Sequence, residues 1–295
     1  MSDVLVTKNV KRLFVRKGDN VHALRDVNIK IKKGEFVSIQ GPSGSGKTTL
    51  LYILGCLDKP TTGKVIIDGI ETSKMKEGEL AKVRAEKLGF IFQSFNLLPI
   101  LNAMENVELP MELTKMSKSE MDDRAHELLE LVGLEEREQH RPSELSAGEQ
   151  QRVAIARALA NKPSIILADE PTGNLDSKTG KRIMTLLKEL NEKTGTTIVV
   201  VTHDKNMAQY ANTMIYLKDG RITQVRDEGK GLEISEELKI PRNLANKLIR
   251  AGYNSVGKIV GATEEDFRKI GKMNMENIWN ITKAIKKYNN RQGRR

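Results

Sequence analysis

Apolar residues along the chain gather in short continuous runs separated by stretches of helical spacing. Glu35-Phe36-Val37-Ser38-Ile39, Lys64-Val65-Ile66-Ile67, Leu88-Gly89-Phe90-Ile91-Phe92, Ser164-Ile165-Ile166-Leu167-Ala168 and Thr197-Ile198-Val199-Val200-Val201 read as strands. Such runs, without polar alternation, belong to strands covered on both faces. Residues 3–227 therefore predict an α/β domain on a mainly parallel sheet. Between Phe95 and about Arg141 the spacing turns helical, at Ala103–Thr114 and Lys118–Val132, which predicts a helical insertion between two sheet strands.

Arg226-Asp227-Glu228-Gly229-Lys230-Gly231 is charged and glycine-rich, and residues 228–234 read as a linker. Beyond it, residues 235–295 predict a small all-α domain with helices at Pro241–Ala251, Ser255–Val260, Glu264–Lys269 and Met275–Tyr288. Thr263 and Asp266 have the spacing of a capping box, and Pro241 suits a first helical turn. Leu244, Leu248, Val256, Ile259, Phe267, Ile270, Ile278, Trp279 and Ile281 are expected to form a separate core there.

Composition narrows the class. With 38% hydrophobic and only 4% aromatic residues in 295, the core should be aliphatic. No run approaches the ~20 apolar residues of a membrane span, and the N-terminus lacks a signal-peptide layout. The single cysteine, Cys56, excludes an internal disulfide and fits a reducing compartment. The net charge is +10, and residues 228–295 hold 15 Lys and Arg against 8 Asp and Glu. That basic tail points to an anionic partner or to a well-solvated surface.

The chemistry begins at Gly41-Pro42-Ser43-Gly44-Ser45-Gly46-Lys47-Thr48, a complete phosphate-binding loop between an apolar strand and the helix-like run from Thr49. Backbone N–H groups of such a loop surround phosphates, Lys47 can reach the β/γ oxygens, and the Thr48 hydroxyl can hold Mg²⁺. The chain should bind a nucleoside triphosphate. Ile165-Ile166-Leu167-Ala168-Asp169-Glu170 is an apolar strand ending in two carboxylates. Asp169 can face the metal while Glu170 activates water, which is what phosphoryl transfer to water requires. Leu145-Ser146-Ala147-Gly148-Glu149-Gln150 opens a helix and could offer N–H groups and a hydroxyl to a phosphate, or simply cap that helix.

Together these residues resemble the ATP-binding cassette family over residues 3–226. The resemblance implies a P-loop cassette with a mainly parallel core, an antiparallel β subdomain and a helical insertion, over residues 1–227. It implies ATP and Mg²⁺ as ligands. Gly41, Pro42, Ser43, Gly44, Ser45, Gly46, Lys47, Thr48 and Thr49 would bind nucleotide, with Phe14 stacked on adenine. Thr48, Asp169 and the family's loop glutamine, Gln93, would hold Mg²⁺, partly through water. Glu170 would act on the lytic water with His203 and Gln93, and Asp176 would couple two sites. Leu145, Ser146, Ala147, Gly148 and Glu149 form the signature that would face the opposite protomer's ATP in a head-to-tail homodimer. The usual signature is Leu-Ser-Gly-Gly-Gln, so Ala147 and Glu149 are departures, expected to alter affinity or rate.

Gly55–Gly63, Glu105–Pro110 and Thr172–Gly180 are similar to the branch containing lipoprotein-release, macrolide-export and cell-division cassettes. That branch implies a separate membrane permease docked around Gln93–Leu98, and a cytoplasmic chain held peripherally at the inner face of the membrane. Residues 235–288 resemble a helix–hairpin–helix module similar to the RNA polymerase alpha C-terminal domain, through Ile270-Gly271-Lys272-Met273-Asn274-Met275. Asn274 stands where a second glycine is usual. Protein contact ranks ahead of DNA contact through Arg268, Lys269 and Lys272. Two alternatives stay open: a soluble ATPase acting on DNA through the tail, and a cell-division-type regulator that moves no cargo.

Overall fold

The chain opens with a long antiparallel hairpin of β1 (Asp3–Arg16) and β2 (Asp19–Lys32). Its register shifts where Asn9 and Asp26 take left-handed φ of 50° and 53°. Such bulges bend a hairpin. β3 (Phe36–Gln40), α1 (Lys47–Leu54), β4 (Thr62–Ile67), β5 (Ile70–Glu71), α2 (Glu77–Lys87) and β6 (Leu88–Ile91) follow. Then come α3 (Ala103–Glu108), α4 (Lys118–Leu131), α5 (Ala147–Leu159), β7 (Ile165–Asp169), α6 (Ser177–Thr194) and β8 (Thr197–Val201). A short α7 (Lys205–Ala208), β9 (Thr213–Lys218) and β10 (Arg221–Asp227) complete the cassette part. The computed structural model describes residues 2–292 apart from Lys17, Gly18, Glu228, Asn254 and Lys272. For Arg16, Asp19, Lys205, Asp227, residues 229–233, Arg242, Asn243, Arg250 and Gln292 it describes the backbone alone.

Two sheets result. One is antiparallel, in the order β2-β1-β4-β5; the other has six strands in the order β10-β9-β3-β8-β7-β6. In the second, β3 runs parallel to β8 and β9, and β7 runs parallel to β6 and β8. Both faces of this sheet are covered, as the apolar runs of β3, β6, β7 and β8 predict; the run at Lys64–Ile67 instead forms β4 of the antiparallel sheet, where burial alternates. Ile166, Ala168, Ile198 and Val200 join a core with Val107, Leu128 and Leu187. Their neighbours Ile165, Leu167, Val199 and Val201 point to the opposite core with Leu50, Leu54 and the buried Cys56. Period-two side-chain direction thus divides each strand between two cores.

The insertion is helical, but the run expected over Ala103–Thr114 is two pieces. α3 stops at Glu108, and a single 3₁₀ turn covers Met111–Leu113. Pro110 lies between them; it lacks an N–H for the helical ladder and clashes with the preceding turn. α3 and α4 pack on each other and on α5, so the insertion rests on the helix that Ser146 caps.

The chain divides into two compact units, Met1–Val225 and Arg226–Arg295. The second contains α8 (Gly229–Leu238), α9 (Arg242–Arg250), α10 (Val256–Val260), α11 (Glu264–Arg268) and α12 (Met275–Gln292) around its own core. Two expectations need correction there. Residues 229–234 are not a linker: they lie in α8, because Ile234 and Leu238 lie one turn apart and both enter the core. Trp279 is not a core residue; it is 59% exposed. It follows Ile278 by 100° around the helix, off the stripe of Ile278, Ile281 and Ala284. Asn274 takes no left-handed conformation, and its Oδ1 caps α12 by accepting from Asn277 N–H at 2.9 Å. Lys272, one of the cations named for a DNA contact, lies outside the described residues. The Thr263–Asp266 capping box forms as its spacing predicts.

Candidate active site

β3 ends at Gln40 and α1 begins at Lys47, leaving Gly41–Gly46 to turn between them. Gly46 is the N-cap, at φ 99°, and a Cβ there would stand 2.4 Å from the Ala23 carbonyl oxygen. Only glycine meets both conditions. No side chain caps α1, so the first N–H groups of this helix end are available to an anion. Lys47 is buried, and its Nζ donates to the Gly41 and Pro42 carbonyls at 2.9 Å each. The turn between β9 and β10, Asp219-Gly220, braces the loop. Both its residues have positive φ, as a two-residue hairpin turn needs. Gly220 N–H donates to the Ser45 carbonyl at 3.1 Å, and its own carbonyl accepts from Arg25 N–H at 2.8 Å.

β7 carries Asp169 to the same end of the sheet. One Asp169 carboxylate oxygen, Oδ1, is buried without a hydrogen-bond partner. Burial pushes this carboxyl above the usual range, the adjacent Glu170 charge adds to that, and Lys47 opposes it. Glu170 follows with φ 45°, a left-handed conformation uncommon outside glycine and asparagine. Its backbone N–H donates to the Val201 carbonyl at 2.9 Å, so the strained residue is anchored to β8. Backbone strain of this kind tends to sit at functional sites, at about 1–3 kcal/mol. His203, two residues beyond β8, places Nδ1 2.5 Å from Glu170 Oε2.

A cavity of about 1060 Å³ joins most of these groups. Phe14, Ser43, Gly44, Gly46, Lys47, Thr48, Thr49, Gln93, Glu170 and His203 line it. The Arg12 guanidinium lies 4.5 Å from the Phe14 ring centroid and pairs with Asp58 at 2.8 Å. Sequence reading missed the Asn20–Ala23 segment, Arg25, Asp219 and Gly220, which also line the cavity. They come from a bulged hairpin and a remote turn, and no local pattern marks them.

The signature residues lie elsewhere. Ser146, Ala147, Gly148 and Glu149 line a separate cavity of about 450 Å³ with Asn174, Asp176, Thr179 and Arg182. Leu145 does not line that cavity; it packs in the core at 6% exposure. Ser146 caps α5, and Asp176 caps α6 by accepting from Lys178 and Thr179 N–H groups at 2.9 and 3.1 Å. The Thr179 side chain and these N–H groups hold the Asp176 carboxyl below its usual range. Gln93 links the two cavities: its Nε2 donates to Asn174 Oδ1 at 3.4 Å, and its carbonyl accepts from Asn174 Nδ2 at 3.0 Å.

The ABC transporter family matches this chain over residues 24–173. The chain belongs to the ABC transporter family. It is 58% identical over 219 residues to an uncharacterized ABC transporter ATP-binding protein, MJ0796, of Methanocaldococcus jannaschii, covering 73% of this chain and 93% of that one. It is 50% identical over 220 residues to the macrolide export ATP-binding/permease protein MacB of Mannheimia succiniciproducens, covering 75% of this chain and 34% of that longer protein. Among solved structures, the dimeric post-hydrolysis state of MJ0796 bound to ADP and Pi superposes with a TM-score of 0.70 at 54% identity. That match covers 76% of this chain and 98% of the other. As an ABC transporter cassette, the chain is an ATP-hydrolysing enzyme subunit. No helix among the described residues is long and apolar enough to cross a membrane.

Proposed function

We propose that this cassette pairs head to tail with a second copy and drives a separate membrane permease of the lipoprotein-release or macrolide-export type. One observation carries the reading. The phosphate loop, Glu170 and His203 share one cavity, whereas Ser146 and Gly148 line another, so a single chain holds two incomplete halves. The dimeric MJ0796 relative supports pairing, and the MacB relative, whose name includes a permease, supports the partner.

Within each composite site Lys47 and the loop N–H groups bind the β/γ-phosphates and Phe14 stacks on the base. Glu170 takes a proton from water, with His203 orienting its carboxylate through the 2.5 Å contact. Asp169 with Thr48 and Gln93 would hold Mg²⁺; an orphaned, buried carboxylate oxygen and a hydroxyl suit a hard cation. The metal would neutralise charge on the transferring phosphoryl group.

The permease would meet an apolar groove of about 370 Å³ lined by Leu57, Phe90, Phe92, Leu113 and Arg157. A peripheral, cytoplasmic position at the membrane follows from that docking. The helix–hairpin–helix likeness of the tail carries no weight here, since the family match ends at residue 173.

Mixing Lys47→Ala with Ser146→Arg chains, both in a Glu170→Gln background, tests the pairing. Mixed dimers have one site free of both lesions and should trap one ATP, while each parent alone traps none. Equal trapping by parents and mixture would sink the head-to-tail model.

A further inference from the structure

We propose that the outward face of α12 is a docking surface for an anionic lipid bilayer. The inward face of this helix is already satisfied: Ile278, Ile281 and Ala284 are buried in the tail core. A second, separate apolar patch stands on the outside. Met275 and Trp279 are 63% and 59% exposed and lie one turn apart on one face. Core packing does not account for a tryptophan held in water, because the core stripe lies elsewhere on the helix.

Basic side chains border the patch. Lys283, one further turn along, sets its Nζ 4.2 Å from the Trp279 ring centroid. Lys286, Lys287 and Arg291 are exposed beyond it, and the only acid on α12 is Glu276. An indole beside a row of lysines matches the interface of an acidic membrane. The ring sits among headgroups, the aliphatic stems lie along the apolar boundary, and the ammonium groups meet phosphate. The tail's net charge has the sign this requires. The inference rests on the permease reading only for the nearness of a bilayer.

Nucleic acid is the competing occupant, and the geometry disfavours it. Lys283 already covers one face of the Trp279 ring. The other tail aromatics are engaged: Tyr253 packs on Phe267 at 5.5 Å between centroids, and Tyr288 donates to Glu237 at 2.9 Å. Single-strand binding relies on a series of open aromatic platforms. Here there is one ring with one face open.

Trp279 is the chain's only tryptophan, so its emission reports this face alone. Full-length protein without nucleotide is titrated with vesicles of phosphatidylcholine, and with equimolar phosphatidylglycerol and phosphatidylcholine. Acidic vesicles should shift the emission to the blue and co-sediment the protein; neutral vesicles should do neither. Salt should reverse the effect as charges are screened. Each lysine near an acidic surface contributes about fivefold in affinity, so Lys283→Glu, Lys286→Glu and Lys287→Glu together should weaken binding by about a hundredfold or more. ATPase activity of that triple variant should be unchanged, which separates this test from the permease reading and reports a folded cassette. Sedimentation without an emission shift would place binding on another surface and overturn the proposal. So would triple-variant binding equal to that of the parent chain. An oligonucleotide that quenches Trp279 when vesicles leave it unmoved would hand the face to nucleic acid.

Discussion

The Ser146 hydroxyl donates to Glu149 Oε2 at 2.6 Å, and the Ser146 backbone N–H donates to the same oxygen at 2.8 Å. Glu149, one of the two departures from the usual signature, therefore holds the serine that we propose meets the partner's γ-phosphate. The Arg137 guanidinium, 3.8 Å from Oε1, balances part of its charge. The added carboxylate is turned back onto its own helix as a capping box.

Glu149→Gln should therefore strengthen ATP-driven pairing, because it removes a negative charge beside the docking phosphate and loosens Ser146. We expect roughly a fivefold gain in apparent ATP affinity for dimer formation, read by light scattering against ATP concentration. The same substitution changes the acid limb of stability. The Ser146 hydroxyl, then its N–H, holds the Glu149 carboxyl below its usual range. A depressed carboxyl contributes stability above its unfolded pKa of about 4.3, lost as pH falls through the lower folded value. Thermal scans of parent and variant should converge below that window and separate above it.

Asp169→Asn should raise the melting temperature of the nucleotide-free protein. It replaces a carboxylate that burial penalises and whose Oδ1 has no partner. A gain of about 1 kcal/mol would appear as roughly 2–4 °C in a unit of this size. The stabilisation given by Mg²⁺ with ATP should vanish in the same variant. A melting temperature that falls without ligand would contradict the cation-site reading.

Glu170→Gln should keep ATP affinity within about twofold and lower turnover by about 10²–10⁴-fold, because the group that takes the proton is gone. Size measurement with ATP and Mg²⁺ should then show a stable dimer. A monomer under those conditions, with an active parent chain, would be the contrary result.

Arg157→Ala should cost about 2–4 kcal/mol in urea unfolding. Its guanidinium donates to the carbonyls of Phe95 and Asn96, both left-handed, at φ 60° and 51°. Those residues follow Gln93, so ATPase activity should fall although Arg157 is absent from the nucleotide cavity. Lysine at this position should recover only part of either loss, since it lacks the planar fork.

The phosphate loop and the acidic end of β7 were legible because their geometry is local: strand, turn and helix lie within a few residues. The strands β3, β7 and β8 were legible because burial on both faces leaves unbroken apolar runs. The hairpin of β1 and β2 was not legible strand by strand. Bulges at Asn9 and Asp26 break its alternation, and the cavity residues His22 and Arg25 went unread with it. Glycines 229 and 231 misled in the opposite direction. Two apolar anchors, Ile234 and Leu238, outweigh the roughly 1 kcal/mol that each glycine costs a helix. Trp279 shows the limit of composition: its identity says core, and its angle on α12 says surface.

β7 sends Ile165 and Leu167 to one side of the sheet and Ile166 and Ala168 to the other, and then delivers Asp169 and Glu170. Inserting or deleting one residue there would exchange the occupants of both cores and rotate the acids half a turn. The length of β7 is consequently set by two cores and two acids at once. From Ile165 to Glu170 the spacing acts as a ruler, and its far end is where the phosphate loop needs its carboxylates.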